Sequence, residues 1–191
     1  MRLCSIASGS SGNCIYVGDE NTHILVDAGI SKKRIEAGLE ALEIKGEEIS
    51  GIFITHEHVD HIQGLGVFSR KYEVPIYATK GTIEGIRKCT NLGKMPEGLL
   101  HEIKTDEDFM LGNMKIRPFR ISHDANEPSG YRMESADKAV AVATDLGKYD
   151  DYIVYTKDDS VQSLRDSLCY VLSMSQMELN AFGEKASNFI K

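Results

Sequence analysis

The amino-acid sequence predicts an α/β protein with polar residues at the ends of several strands. Short apolar runs alternate with stretches of helical spacing, and several runs end in a histidine or an aspartate before a turn. Three of the six histidines lie within residues 56–61, directly after the apolar run 52–54. Runs rich in β-branched and aromatic residues are typical of buried strands. The histidines are therefore predicted on a loop at a strand end, where rigid scaffolds commonly hold functional groups.

Length and composition indicate one globular domain. The chain has 191 residues, of which 41% are hydrophobic and 27% charged, which is ordinary for a domain that buries a core. No apolar run approaches the roughly 18–20 residues that span a bilayer, and the N-terminus lacks a signal-peptide pattern. The four cysteines form no CxxC pair, which argues against a zinc ribbon or a disulfide framework. We therefore expect a cytoplasmic protein without a membrane partner.

The net charge of −7 restricts how this chain can meet a nucleic acid. Proteins that depend on non-specific affinity for phosphates usually present a basic face. Attraction to phosphates must here come from a local patch or from bound metal cations, which can be the largest charges in a site.

The first third of the chain predicts three strands and a helix. Strands are expected over 2–7, 14–17 and 23–26, with a turn at 18–21 between the last two. The Gly/Ser loop 8–13 resembles a phosphate-cradling loop only loosely, because no Lys-Ser/Thr follows Gly12 and no helix opens there; the alternative is a tight turn between strands. Ser31 is the better N-cap for the following helix, which leaves Asp27 free to orient histidine ligands through an outer hydrogen bond.

The remainder continues with alternating elements as far as about residue 143. A helix is expected over 62–72, although Gly64 and Gly66 interrupt its start, and Thr79 is expected to cap a second helix that reaches about residue 89. Residues 91–98 form a predicted loop. The predicted strands of this part are 75–78, 99–103, 109–111, 114–121, 130–133 and 139–143.

The run THEHVDH concentrates metal-ligand chemistry in one loop. His56 and His58 are two residues apart, so in an extended loop their side chains project to the same side. Asp60 and His61 follow as a second pair after the chain has begun to turn. This spacing predicts two sets of ligands that point at two neighbouring metal ions.

Four polar residues share one context, which is an apolar strand, then the polar residue, then a turn. These residues are Asp27, His56, His123 and Asp145. Strand ends at one edge of a sheet converge in space, which is how ligands distant in sequence meet at a metal.

The motifs together resemble those of the metallo-β-lactamase-fold hydrolases. The histidine run looks like the HxHxDH motif of that superfamily, LVDAG resembles its first motif, SHDA its later histidine motif, and ATDLG its bridging aspartate. The opening ASGSSGNCIYV and the SHDA…PSGY spacing are closer still to the YycJ/WalJ branch. The resemblance covers residues 1 to about 150. It implies a bacterial protein that degrades DNA as a 5′→3′ exonuclease.

The resemblance implies an αββα four-layer sandwich with a dinuclear zinc or manganese site at one edge. His56, His58 and His123 would hold the first metal, and Asp60 and His61 the second. Asp145 would bridge both, while Asp27 would orient the ligands. Two cations roughly 3.5–4 Å apart lower the pKa of a bridging water and neutralise charge at the attacked centre. Asp60 would also orient that water and is the expected catalytic residue.

The chain departs from the family pattern after the bridging aspartate. Family members have a further histidine ligand there, whereas this chain has no histidine after His123. Residues 161–172 have the spacing of an amphipathic helix, and strands of the sandwich's second half are missing from the pattern. We therefore expect a domain over 1–154 and a divergent, helical tail over 155–191. Its origin is either a truncation or frameshift, or a genuine short variant whose tail packs on the sheet.

Three functions follow from these observations. The favoured one is hydrolysis of DNA phosphodiesters, with nucleic acid as the substrate. The second is hydrolysis of a small molecule, such as a thioester, a lactone or a cyclic phosphodiester, on the same fold. The third is a non-catalytic metal-binding module in which His56, His58, His123 and Asp145 make a closed tetrahedral site. Sequence does not distinguish zinc from manganese, since His/Asp sites accept both, and it leaves the oligomeric state open.

Overall fold

The computed structural model describes residues 1–136, 138–146, 173–178 and 180–181. The chain divides into two compact units, Met1–Asp145 and Leu146–Lys191. The predicted boundary after residue 154 and the predicted helix over 161–172 lie outside the described residues, so both stay predictions. Within the part of the chain that the structure describes, no helix has the length and apolar character needed to cross a membrane.

The first unit contains a six-stranded and a four-stranded sheet. The strands of the first sheet are β1 Arg2–Ala7, β2 Cys14–Gly18, β3 His23–Val26, β4 Ile49–Phe53, β5 Ile76–Ala78 and β6 Leu100–Glu102. They lie in chain order, antiparallel from β1 to β3 and parallel from β3 to β6. The second sheet consists of β7 Phe109–Leu111, β8 Met114–Arg120, β9 Ser129–Ser135 and β10 Lys138–Val142. Its strands are antiparallel in the order β10-β9-β8-β7.

Helices cover one face of the six-stranded sheet. They are α1 Lys32–Glu40, α2 Val59–Ile62, α3 Leu65–Tyr72 and α4 Lys80–Lys88, with short 3₁₀ helices at Gly46–Glu48, Thr90–Leu92 and Glu97–Leu99. Their buried side chains, such as Ile35, Phe68 and Ile83, pack with Leu25 and Ile52 of the sheet. The unit therefore has a helical layer over the first sheet.

The other face of the six-stranded sheet packs on the four-stranded sheet. Successive strand residues point to opposite faces, so Leu25 lies in the helix-covered core while Ile24 lies between the sheets. The second core joins Phe53 to Ile116 and Tyr131. These three layers, helix, sheet and sheet, confirm the predicted α/β class and the metallo-β-lactamase architecture as far as the described residues extend.

Two local predictions need correction. The helix predicted over 62–72 is two helices, because Gly64 N–H donates to the carbonyl of Ala28 at 2.8 Å and a Cβ at Gly64 would collide with the carbonyl of Ile30. Residues 91–98 are more than a loop, since 3₁₀ turns lie at either end. Ser31 occupies the N-cap position of α1 as predicted, but its side chain makes no capping hydrogen bond.

The expectation that four strand ends meet at one edge of a sheet is also wrong. Asp27 and His56 follow β3 and β4 of the six-stranded sheet, whereas His123 and Asp145 follow β8 and β10 of the other. The ends converge because the two sheets pack face to face. Ser129 N–H donates to the carbonyl of Thr55 at 2.9 Å, which joins the sheets beside the site.

The described residues of the second unit form a capped helical turn. Glu178 N–H donates to Ser175 Oγ at 3.3 Å, and the Glu178 carboxylate accepts from Ser175 N–H at 2.8 Å. This reciprocal pair is the S-x-x-E capping box.

Candidate metal centre

The histidine loop begins where β4 ends and turns directly into α2. Ile54, Thr55 and His56 are all fully buried. His58 has extended backbone angles and is the N-cap of α2. Asp60 and His61 lie on that one-turn helix, which gives the second pair the change of direction that the sequence predicts.

Three histidines form the first group of possible ligands. The Nδ1 atom of His58 lies 3.2 Å from the Nε2 atom of His123. The ring of His56 stands edge-on to both, with centroid distances of 4.6 Å and 4.5 Å. One nitrogen from each of the three rings lies within 4.8 Å of the others. This arrangement is the one expected for the first metal.

His56 presents an unpartnered nitrogen to this group. The hydroxyl of Thr55 lies 3.0 Å from its Nδ1 atom, whereas its buried Nε2 atom has no hydrogen-bond partner among the described residues. Burial, followed by the charges of neighbouring histidines, lowers the pKa of His56 to about 3. A buried polar atom without a partner is costly, and a neutral imidazole nitrogen is a metal ligand.

Asp27 fixes the orientation of His61. The Asp27 carboxylate accepts from His61 Nδ1–H at 2.7 Å and from the Thr55 hydroxyl at 2.9 Å. Burial raises the pKa of Asp27. Burial lowers the pKa of His61, but the hydrogen bond and charge of Asp27 outweigh it and raise that pKa overall. With Nδ1 on Asp27, the Nε2 atom of neutral His61 carries the lone pair and faces the site.

Asp145 completes a second group with His61 and His56. Its Oδ2 atom lies 2.9 Å from His61 Nε2, and one atom from each of the three residues lies within 4.8 Å of the others. Asp27 and Asp145 both adopt positive φ, at 63° and 51°. Backbone in this region costs energy in a non-glycine residue and clusters at functional sites.

The structure therefore brings all the predicted site residues into one place. Asp145 lies on the His61 side of the site, with His56 shared between the two groups. Asp60 stands at the margin, since its Oδ2 atom is 3.5 Å from His61 Nε2 and its side chain is 33% exposed. Asp27 contacts His61, which is the placement that the orienting role requires.

The loop that carries His123 is anchored by residues that the sequence reasoning missed. Asn126 N–H donates to the Glu57 carboxylate at 2.9 Å. The hydroxyl of Thr79, which also caps α4, donates to the carbonyl of Glu127 at 2.7 Å, and Gly81 N–H donates to the Glu127 carboxylate at 2.8 Å. The position of Glu57 between two histidines was the one sequence signal for this anchor.

Thr55 and Asn13 are two further residues that sequence reasoning missed. The Thr55 hydroxyl lies within hydrogen-bond distance of Asp27, His56 and His61. The amide nitrogen of Asn13 lies 3.0 Å from His61 Nε2. Thr55 directly precedes the first histidine, which was an available signal. Asn13 belongs to the opening ASGSSGNCIYV run, which was the available signal for it.

The donor set fits a divalent cation. Imidazole nitrogens suit zinc and carboxylate oxygens suit manganese, so this mixed donor set accepts either metal. His56 offers one nitrogen to each ligand group, and its Nε2 atom is the one without a hydrogen-bond partner among the described residues. An inward-facing nitrogen that protein groups leave unsatisfied is the feature that a metal ligand shows in the absence of its metal.

The fold and this site define the class of protein. Residues 22–173 match the family model described as the beta-lactamase superfamily domain. The chain belongs to this family, as its histidine motif predicts.

The chain is similar to curated relatives of the branch that its motifs resemble. It is 39% identical over 159 residues to the exodeoxyribonuclease YycJ of Bacillus anthracis, an alignment that covers 79% of this chain and 56% of the relative. It is also 39% identical over 146 residues to the exodeoxyribonuclease WalJ of Streptococcus pneumoniae serotype 2, covering 76% of this chain and 54% of that protein. The chain thus spans about half the length of these relatives.

Solved structures support the fold. A metallo-β-lactamase with a HARLDQ motif from Cronobacter sakazakii superimposes with a TM-score of 0.63 at 19% identity, over 87% of this chain and 69% of that one. At this identity the likeness concerns the architecture alone.

Proposed function

We propose that this chain is a metal-dependent hydrolase that cleaves phosphodiester bonds of DNA, in the manner of a 5′→3′ exonuclease. One observation carries the proposal, which is that two groups of ligand atoms share the buried, unpartnered His56. The similarity to the YycJ and WalJ exodeoxyribonucleases supports DNA as the substrate.

The proposed roles follow from the position of each side chain. The first cation is held by His56, His58 and His123. The second is held by His61 and Asp145, and Asp60 lies at its margin. Bound divalent cations lower the pKa of water and neutralise charge on a phosphate. Asp27 and Thr55 hold the Nδ1 sides of His61 and His56, so that each Nε2 atom faces the site.

Bound cations also explain how an acidic protein can attract the negatively charged phosphates of DNA. The chain has 29 acidic and 22 basic residues, and the site itself contains Asp60 and Asp145. An apo site of this composition repels phosphate, whereas two divalent cations make the local charge favourable. We therefore expect DNA binding to depend on metal.

End-labelled duplex DNA incubated with Mn²⁺ tests the proposal. We expect stepwise release from the 5′ end, a loss of release with EDTA, and a fall of at least about 100-fold in His58→Ala, since even outer partners of metal ligands contribute 10–100-fold. His101→Ala is the matched control, because this exposed histidine on β6 stacks on Tyr77, away from the ligand groups. Turnover of a small phosphodiester without any cleavage of DNA would overturn the choice of substrate.

A further inference from the structure

The Gly/Ser loop between β1 and β2 is built around one side chain, Asn13. Asn13 is 7% exposed. Its Oδ1 atom accepts from Gly9 N–H at 3.0 Å, and its Nδ2 atom lies 3.3 Å from the carbonyl of the same glycine. Gly9 and Gly12 both have φ of 132°, a region that favours glycine. The loop thus closes on Asn13, which supports the tight-turn interpretation of its sequence.

The backbone of Asn13 ties this loop to two parts of the metal centre. Asn13 N–H donates to the carbonyl of Asp60 at 2.7 Å, and its own carbonyl accepts from Gly29 N–H at 2.8 Å. A Cβ at Gly29 would collide with the Asp60 carbonyl, so the three segments touch without space between them. These hydrogen bonds fix the positions of the loop, the turn after β3 and helix α2 relative to one another.

The same residue directs its amide donors at the Asp60/His61 pair. Because Gly9 N–H can only donate, Oδ1 must face it, and this fixes the orientation of the amide group. The Nδ2 atom then lies 3.4 Å from Asp60 Oδ2 and 3.0 Å from His61 Nε2. Among the described residues, the other polar side chain against the Asp60 carboxylate is His61, at 3.5 Å.

We propose that Asn13 is the positioning residue of the second cation site and acts through Asp60. Asp60 is one of the more exposed residues of the site. Its side chain, on a one-turn helix, can adopt several rotamers. The Asn13 amide donates to it and holds it beside His61. When a cation occupies the lone pair of His61 Nε2, the Asp60 carboxylate remains as the acceptor for that amide. This inference rests on the proposed metal-dependent function.

The test is a zinc titration against a chromophoric chelator, which reports the number of sites and the affinity of each. We expect the unaltered chain to bind two zinc ions. In Asn13→Ala the second site should weaken by about 10–100-fold, as for other outer partners of metal ligands, while the site of His56, His58 and His123 keeps its affinity. Ser11→Ala, at an exposed position of the same loop, should change neither site.

A double-mutant cycle separates positioning from a role in loop structure. If Asn13 acts through Asp60, Asn13→Ala should have no further effect in an Asp60→Ala background. Asn13→Ser is the second variant. Like Asn13→Ala it keeps the main-chain hydrogen bonds to Asp60 and Gly29, and because its hydroxyl is too short to reach Asp60, the same loss is expected. Thermal unfolding identifies any variant that is unfolded.

Three outcomes would overturn the inference. They are uptake of a single zinc ion by the unaltered chain, equal weakening of both sites by Asn13→Ala, and an undiminished effect of Asn13→Ala when Asp60 is already alanine. The chain could instead bind two zinc ions, show no further effect of Asn13→Ala when Asp60 is alanine, and still fail to cleave DNA. That result would leave the inference intact and overturn the proposed substrate. The two failures are therefore distinguishable.

Discussion

Strand β3 has an aspartate cluster at each end, and the two clusters differ in how their polar atoms are satisfied. The Asp19 cluster (Asp19, Thr22, Asn113 and Ser135) lies before the strand and joins the two sheets. The Asp27 cluster (Asp27, Thr55, His56 and His61) lies after it and also meets the second sheet, through a 3.3 Å contact between the Thr144 and Thr55 hydroxyls.

The Asp19 carboxylate is surrounded by neutral donors. It accepts from the backbone N–H groups of Asn21 and Thr22, from the amide of Asn113 and from the hydroxyl of Ser135. Burial opposes ionisation, but these hydrogen bonds outweigh it and lower the pKa of Asp19 from 3.8 to about 2. Both carboxylate oxygens of Asp19 accept hydrogen bonds. The Asp19 cluster therefore has a structural role in connecting the two sheets.

The Asp27 cluster is less favourable for folding. Asp27 is buried and burial raises its pKa, and His56 Nε2 in the same cluster has no partner among the described residues. Natural proteins violate the rule of satisfied polar groups chiefly at functional sites. The difference between the clusters therefore marks the Asp27 end of β3 as the candidate functional end.

The largest difference between the two ends of β3 should appear when a candidate ligand, His58, and the structural aspartate, Asp19, are replaced separately. We expect His58→Ala to lower DNA cleavage by at least about 100-fold with little change in the denaturant midpoint. Asp19→Asn should lower that midpoint and leave cleavage per folded molecule unchanged. Equal losses of cleavage in both variants would show that the two ends do not differ in function.

Removing one hydroxyl from each cluster should sharpen the comparison. Thr55→Val leaves Asp27, His56 and His61 without their shared hydroxyl, so zinc affinity should fall by about 10–100-fold. Thr22→Val is the matched control, because Thr22 is equally buried and its hydroxyl contacts Asn113 Oδ1 at 2.5 Å. That variant should lose stability while zinc affinity, measured by competition with a chelator, stays the same.

Acid should weaken the Asp19 cluster in a defined pH range. Because the folded-state pKa of Asp19 is about 2 and its ordinary value is 3.8, its contribution is complete above pH 3.8 and is lost as the pH falls towards 2. Asp19→Ala should cost about 1–3 kcal/mol of unfolding free energy near neutral pH. Urea titrations at several pH values should show the difference from the unaltered chain shrink in that range, whereas Glu20→Ala, at an exposed neighbour, should show no such trend.

The smallest expected effects concern two helix caps. Thr79 caps α4 through Thr82 N–H and also holds the loop of His123, so Thr79→Ala should cost about 1 kcal/mol. Ser31 makes no capping hydrogen bond with its side chain, and Ser31→Ala should stay within about 0.5 kcal/mol. A larger loss for Ser31 than for Thr79 in thermal unfolding would contradict the assignment of these contacts.

The sequence was informative where local chemistry determines the structure. Apolar runs and turn residues predicted the strands of the described part closely, and Thr79 was correctly predicted as a cap, because periodicity and capping are local properties. The candidate ligand residues were recognisable for the same reason. His56, His58, Asp60 and His61 lie within one run of six residues, and His123 and Asp145 each follow a strand.

The missed features depend on contacts between distant segments. The break before α3 is set by the approach of Gly64 to Ala28, which no helical pattern reveals. The meeting of two sheets at the site depends on how they pack, and the role of Asn13 depends on a loop 47 residues away from Asp60 in sequence. Such contacts become visible only in three dimensions.

Zinc content per chain after exhaustive dialysis tests the central claim most directly. The unaltered chain should retain at least one zinc ion, and a variant that carries both His58→Ala and His123→Ala should retain less, with circular dichroism showing that both are folded. A folded chain that retains no zinc, or a double variant that retains as much as the unaltered chain, would contradict the assignment of the metal centre.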